Sequence, residues 1–261
     1  FEQMQIEGIS PDMVTFICIL KACGNTKNIE KGQQIHKVVA NMGFLEKDVS
    51  VGNSLVDMYA KFGMLTKAEN VLEELPVRDV VTWNSLIAGY VQQGQYHEAF
   101  MYFEWMKKED LYPDVVTFIC ILKACGSVGA TEKGKQIHQE IVSMGLFGKD
   151  VVLGTALVDM YAKCGILTKA QQILEELYTR DEVSWSALIT GYVKEEKHTR
   201  ALTCFERMQI EGLSPDCITF TCVLKACSGS GVIEKGRKVH NEVIIKGLEK
   251  EYVSLGNGLL D

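Results

Sequence analysis

Proline is scarce in this 261-residue chain, four residues in all, which argues against a proline-rich linker or a disordered tail. Long apolar runs are missing too: no stretch approaches the ~18 residues of a membrane span. The opening residues, FEQMQIEGISPD, have neither the basic start nor the apolar stretch of a secretory signal. They also lack an initiator methionine, so the chain is expected to be a segment of something longer. Basic charge is in deficit. With 27 Lys and Arg against 34 Asp and Glu the net charge is −7, which excludes adhesion to nucleic acid by bulk charge. Any such contact has to come from a local surface. The nine cysteines are odd in number and sit in helix-like surroundings, so free thiols in a reducing compartment are expected rather than a disulfide framework.

What the chain does have is repetition. The string VTFICILKACG at Val14–Gly24 recurs at Val116–Gly126, 102 residues on, and a looser copy, ITFTCVLKACS, starts at Ile218, another 102 on. Residues 13–48 match 115–150 at 21 of 36 positions, and 49–79 match 151–181 at 20 of 31. Chance does not produce that, so the chain is an internal array. The 102-residue unit divides at 13, 49 and 80 into pieces of 36, 31 and 35 residues. Full motifs are therefore expected at 13–48, 49–79, 80–114, 115–150, 151–181, 182–216 and 217–252, with partial motifs at 1–12 and 253–261. In this register the twentieth residue is always small: Gly32, Ala68, Ala99, Gly134, Ala170, Ala201 and Gly236. Closely crossing helices require that.

Each motif reads as two amphipathic helices. In 80–114, Leu86, Ile87, Tyr90 and Val91 mark one helical face, and Ala99, Phe100, Phe103 and Met106 mark another. Gly63, Gly94 and Gly165 punctuate the turns, and strand-type alternation is absent. A hairpin of this size cannot bury its apolar face alone. The expected fold is all-α: an α-solenoid superhelix of stacked helix-turn-helix repeats, its handedness left open.

Motif 80–114, VVTWNSLIAGYVQQGQYHEAFMYFEWMKKEDLYPD, resembles a pentatricopeptide repeat in its length, its VVTWN opening, its small twentieth residue and its Pro-Asp close. The alternating lengths resemble the plant PLS subclass, with L motifs at 13–48, 115–150 and 217–252, S motifs at 49–79 and 151–181, and P motifs at 80–114 and 182–216. The Trp-x-x-Leu-Gly-x-x-Tyr pattern of tetratricopeptide repeats is absent. The resemblance implies sequence-specific binding of single-stranded RNA, one nucleotide per motif, in a mitochondrion or chloroplast, as the recognition tract of a C-to-U RNA editing factor. It further implies that position five and the last residue of each motif choose the base, and that position two sandwiches it.

Comparing the motifs locates these residues. Position five is Ile17, Asn53, Asn84, Ile119, Thr155, Ser186, Thr221 and Asn257. It is small and polar throughout the S and P motifs and changes type while its neighbours stay fixed, as a modular reader would; a local backbone hydrogen bond is the plainer alternative. Ile17 and Ile119 cannot hydrogen-bond a base, so those L motifs are expected to supply spacing or to meet an editing-complex protein. The last residues are Asp12, Asp48, Asp79, Asp114, Asp150, Asp181 and Asp216, then Tyr252. Aspartate there suits a helix N-cap, a role compatible with base contact, for which Asp79, Asp114, Asp181 and Asp216 are the candidates. At position two, Val81, Val116, Val152, Val183 and Ile218 are candidate base sandwichers, with core packing an equal explanation; Ser50 and Ser254 depart from the pattern. Lys61, Lys163 and Lys194 at position thirteen are candidate phosphate contacts, with Lys21, Lys123 and Lys225 a second register; solvated helix-end lysines are the alternative.

The implied base code pairs Asn53 with Asp79 and Asn84 with Asp114 for uridine, and Thr155 with Asp181 and Ser186 with Asp216 for guanosine. The expected core is U-U-N-G-G-N, read 5′ to 3′. A protein-binding scaffold whose groove takes a peptide is the rival, favoured slightly by the acidic charge. Catalysis is not expected. His138-Gln139-Glu140 and His240-Asn241-Glu242 match half of the zinc deaminase signature, but no Pro-Cys-x-x-Cys follows and no two cysteines lie three apart. A deaminase domain would have to lie after residue 261, and no metal or cofactor is expected. Thiol blocking or zinc chelation should therefore leave both helix content and ligand binding unchanged; loss of either on chelation would contradict the assignment.

Overall fold

A computed structural model describes residues 1–247 of the chain. The short α1 (Glu2–Ile6) precedes paired helices: α2 (Met13–Thr26) with α3 (Ile29–Asn41), α4 (Val49–Phe62) with α5 (Leu65–Glu74), and α6 (Val80–Gln92) with α7 (Tyr96–Lys108). Then follow α8 (Val115–Val128) with α9 (Thr131–Ser143), α10 (Val151–Lys163) with α11 (Leu167–Glu176), α12 (Glu182–Lys194) with α13 (His198–Ile210), and α14 (Cys217–Ser230) with α15 (Ile233–Ile245). The fold is an all-α solenoid of helical repeats, with no strand among the described residues. The chain forms two compact units, one of residues 1–124 and one from residue 125 onward, with the boundary inside α8.

The sequence dictates where the first helix of each pair begins. Asp12, Asp48, Asp79, Asp150, Asp181 and Asp216 each hold an extended backbone at the N-cap and accept a hydrogen bond from an amide two (Asp48) or three residues ahead. Asp114 does the same for the Thr117 amide, at 2.9 Å. Each carboxylate satisfies a donor that the helix leaves orphaned and sits at the positive end of its dipole. The second helices start without a side-chain cap in most pairs, so packing rather than capping holds them.

That packing is repetitive. Within the first unit, first helices meet first helices, α2 on α4 and α4 on α6; within the second unit, α10 meets α12 and α12 meets α14. α3, α5, α11 and α13 each back onto their own first helix and the next one. Trp83 and Trp185 are buried at equivalent places. Their indole N–H groups donate to Glu109 and Glu211, which also pair with Arg78 and Arg180. The close approaches rest on small residues. A Cβ added at Gly32 would lie 2.6 Å from Met58 Sδ, and one at Gly134 would lie 2.5 Å from Met160 Sδ, which explains the small twentieth residue in two L motifs. A Cβ added at Gly236 would meet Cys227 Cβ at an ordinary 3.5 Å, so the constraint is looser there.

A close approach of another helix falls at Gly89, where a Cβ would stand 2.7 Å from Ala60 Cβ and 3.3 Å from Ala60 Cα. Backbone of α4 cannot step aside as a methionine can. Gly89→Val should therefore destabilise the chain by ~1–3 kcal/mol, the cost of overpacking, measured as a lower urea midpoint with unchanged slope. A variant as stable as the parent would mean that α4 and α6 are further apart than this.

Candidate nucleic-acid interface

On a helix of 3.6 residues per turn, positions two, five, nine and thirteen fall within about 80° of one another. They therefore form one stripe along each first helix. Position two lies at the exposed edge of that stripe. Val81 is 54% exposed, Val183 61% and Ile218 62%, and Val116 and Val152 are similarly open. Core packing, an equal explanation from sequence, does not account for them. Aliphatic side chains held in water at the same place in successive motifs are available to a ligand with a flat apolar face.

Position five sits one turn deeper. Asn84, Thr155 and Ser186 are buried, and Asn53 is half-buried. Three of these four side chains reach the next motif's cap aspartate. Asn53 Nδ2 donates to both oxygens of Asp79 at 3.1 Å, and Asn84 Nδ2 donates to Asp114 Oδ1 at 2.9 Å. Thr155 Oγ1 donates to the Asp181 carboxylate at 3.1 and 3.2 Å from its two oxygens. The aspartate is thus cap and partner at once. Burial alone would raise the Asp79 carboxyl, but the Thr82 amide and the Asn53 and Thr82 side chains outweigh it and hold its pKa below the usual carboxylate value. Asp79 is therefore a fixed anion at neutral pH. Thr221 behaves differently, turning its hydroxyl back to the Cys217 carbonyl. Its companion Tyr252, with Ser254 and Asn257, lies outside the described residues.

One cleft in the second unit gathers these columns. It has a volume of about 290 Å³ and is lined by Val183 and Ile218 from position two, Ser186 and Asp216 from position five and the cap, and Lys163 and Lys194 from position thirteen. Asp159 also lines it and pairs with Lys163 at 2.7 Å. Lys61 is held in the same way by Asp57, at 2.7 Å, and by Asn25. Lys194 makes no ion pair among the described residues. A half-neutralised Lys163 and an uncommitted Lys194 give the cleft a modest positive edge.

Hydroxyls three residues after the cap aspartates are a feature that motif comparison passes over. Thr82 Oγ1 donates to Asn53 Oδ1 and Thr117 Oγ1 to Asn84 Oδ1, both at 2.5 Å. The visible signal is the Asp-x-x-Thr spacing, which reads simply as a capping box.

The sequence likenesses now have a geometry to rest on. The PPR repeat family profile matches residues 78–127 and 180–229, the Pentatricopeptide repeat domain profile matches 1–47, and the PPR repeat profile matches 53–80. The chain belongs to the pentatricopeptide repeat family. It is 39% identical over 255 residues to the Arabidopsis thaliana pentatricopeptide repeat-containing protein At4g38010, covering 97% of this chain and 44% of that one. It is 38% identical over 238 residues to the Arabidopsis thaliana pentatricopeptide repeat-containing protein CRR2, chloroplastic, covering 89% of this chain and 36% of that one. The chain thus spans less than half the length of these curated relatives. Among solved structures, it is similar to the pentatricopeptide repeat protein PPR10 in complex with an 18-nt psaJ RNA element, with a TM-score of 0.70 and 20% identity over 91% of this chain and 35% of that one.

Other titratable groups of this pentatricopeptide array serve the fold. His36 Nδ1 meets Tyr59 Oη at 2.9 Å, and His138 Nδ1 meets Tyr161 Oη at 3.0 Å. Burial pushes both imidazoles below the ordinary 6.5. Burial also lifts the Cys125 thiol to about 12 and Cys204 to about 11, far from nucleophilic thiolates. No metal-holding cluster of His, Cys, Asp or Glu occurs among the described residues. The two histidines fix a pH response. Since the fold prefers the neutral ring, the unfolded chain binds more protons below about pH 6.5, so stability is complete above that pH and is lost as pH falls toward the depressed native values. The Tm of the His36→Gln, His138→Gln double variant should change less than the parent's between about pH 7 and 5.5. Equal slopes would remove the histidines as the cause.

Proposed function

We propose that this array binds single-stranded RNA in a sequence-specific way, one nucleotide per motif, as the target-recognition tract of an organellar C-to-U editing factor. The observation that carries the reading is the cleft in which Val183, Ile218, Ser186, Asp216 and two lysines meet. An apolar pair suits the faces of a base, the polar pair suits its edge, and the cations suit the phosphates. The likeness to PPR10, whose crystal structure holds RNA, supports the ligand class. The chloroplastic labels of relatives such as CRR2 support an organelle, and a mitochondrion is the other one proposed. Editing chemistry would come from a deaminase outside these motifs, because the reading gives the array itself no catalytic step. The L motifs, with Ile17 and Ile119 at position five, are the places for a partner protein.

The pairs differ in what they offer a base. Asn84 has one Nδ2 hydrogen beyond the one given to Asp114, so this site presents a donor beside a carboxylate acceptor. Uracil answers with a carbonyl oxygen and its N3–H. At the Thr155 site the hydroxyl hydrogen is spent on Asp181, leaving acceptors only, which suit the N1–H and N2–H donors of guanine. Motifs 49–79, 80–114, 151–181 and 182–216 thereby give the U-U-N-G-G-N core, with Ile119/Asp150 and Thr221/Tyr252 unassigned. By analogy with base-edge contacts in DNA, each pair discriminates by ~1–3 kcal/mol, or roughly tenfold to a hundredfold in affinity.

Fluorescence titration with RNA carrying this core and with a scrambled control tests the reading. The matched RNA should bind more tightly, with a salt slope of only about −0.7 per neutralised phosphate. Asn84→Thr should move the preference at the second position from U toward G and leave the rest alone. Equal binding of matched and scrambled RNA would instead favour a protein-binding scaffold.

A further inference from the structure

Thr82 and Thr117 do more than their capping boxes require. A capping box uses the hydroxyl as an acceptor for the N-cap amide, and both threonines fill that role, accepting from Asp79 N–H at 3.2 Å and Asp114 N–H at 3.1 Å. The single hydroxyl hydrogen remains. In both motifs the shortest acceptor is the amide oxygen of the previous motif's position five: Asn53 Oδ1 for Thr82 and Asn84 Oδ1 for Thr117, each at 2.5 Å. The cap carboxylate oxygen is further off, at 2.9 and 3.0 Å. Both threonines are fully buried, so water does not compete for that hydrogen.

A second observation comes from the sequence column itself. In the S and P motifs, where position five is polar (Asn53, Asn84, Thr155, Ser186), position three of the following motif carries a hydroxyl: Thr82, Thr117, Ser184 and Thr219; the polar Thr221 of the last L motif is followed by Leu255 and turns its hydroxyl back to the Cys217 carbonyl instead. Where position five is Ile17 or Ile119, position three of the following motif is Val51 or Leu153. Asp48 and Asp150 cap their helices without any hydroxyl there, so capping does not demand one. At these six junctions the hydroxyl accompanies a polar position five, and the cap does not require it.

We infer that Thr82 and Thr117 are specificity-positioning residues, which pin the amide oxygens of Asn53 and Asn84 so that the amide nitrogens face the cap aspartate and the base. This rests on the RNA-reading proposal above. With Thr117 holding Oδ1 and Asp114 holding one Nδ2 hydrogen, the Asn84 amide has a single orientation, and its remaining N–H is the group a uracil carbonyl meets. Remove the hydroxyl and Asn84 Oδ1 is left buried without a donor, an arrangement costly enough to turn the amide away. The donor-beside-acceptor pattern then blurs, and with it the choice of base. Ser184 marks the contrast: it gives its hydroxyl to the Asp181 carbonyl, at 2.9 Å, because Thr155 has no amide to orient.

The test compares Thr117→Val and Thr117→Ser in the intact chain by titration against RNAs that differ only at the nucleotide assigned to Asn84. Thr117→Val should lose roughly tenfold of the preference for U over the other bases at that nucleotide, with selectivity at the Asn53 nucleotide unchanged. Thr117→Ser, which keeps the donor, should retain the parent preference. A Thr117→Val variant with parental selectivity and only a lower Tm would reduce Thr117 to a helix cap and overturn the inference. Asn84→Ser separates the two levels. If that change leaves base preference untouched, the recognition reading fails at this motif and the positioning role falls with it.

Discussion

Everything at the candidate interface depends on the aspartate that opens each first helix. Its carboxylate has to satisfy an orphaned backbone amide, which fixes its place to within a hydrogen bond. Because first helices pack on first helices, that fixed carboxylate comes to rest beside position five of the preceding motif, as the Asn53–Asp79, Asn84–Asp114 and Thr155–Asp181 contacts show. A local requirement of helix geometry thus delivers a polar pair at each junction where position five is Asn53, Asn84 or Thr155. The Ser186–Asp216 junction is the open version: both residues line the cleft, with no direct hydrogen bond between them.

Charge works in the same local way. A chain of net charge −7 repels a polyanion at long range, yet the cap aspartates add more negative charge to the very groove in question. The helix N-termini offset them, since each carboxylate faces the positive end of a dipole and gives up part of its field there. The lysines of position thirteen are partly spent on Asp57 and Asp159. On the proposed reading, an RNA held here is gripped through base faces and edges more than through phosphates, so its affinity depends on sequence more than on salt.

The helix pairs and the caps are legible in the sequence because a 102-residue repetition displays every column several times, and a column of aspartates before apolar periodicity has few other meanings. Position two is not legible in that way. Val81 and Leu86 are both aliphatic, and only the packing of α6 against its neighbours decides that one is 54% exposed and the other buried. Lys61 and Lys163 look free in sequence because their partners, Asp57 and Asp159, stand four residues earlier among apolar neighbours. The hydroxyls of Thr82 and Thr117 hide for a different reason: the capping box is a sufficient explanation until the hydrogen on the oxygen is followed to Asn53 and Asn84.

That hydrogen shows how a repeat can keep its fold while changing what it reads. The cap carboxylate and the backbone it serves stay constant, and they carry the helix start. At the junctions that follow 13–48, 49–79, 80–114, 115–150 and 151–181, position five and the following position three change together, from Asn with Thr to Thr155 with Ser184 to Ile with Val or Leu. The Asn–Thr junctions and the Thr155–Ser184 junction close their own buried hydrogen bonds, and the Ile junctions have none to close, so these choices strand no polar group in the interior. The Ile combinations remove the polar pair without disturbing the cap, which is why Asp48 and Asp150 still open their helices. Stability and the proposed recognition thus rest on neighbouring atoms of the same junction and on different hydrogen bonds, so on this reading a motif is made silent or selective by two side chains that the helix start does not need.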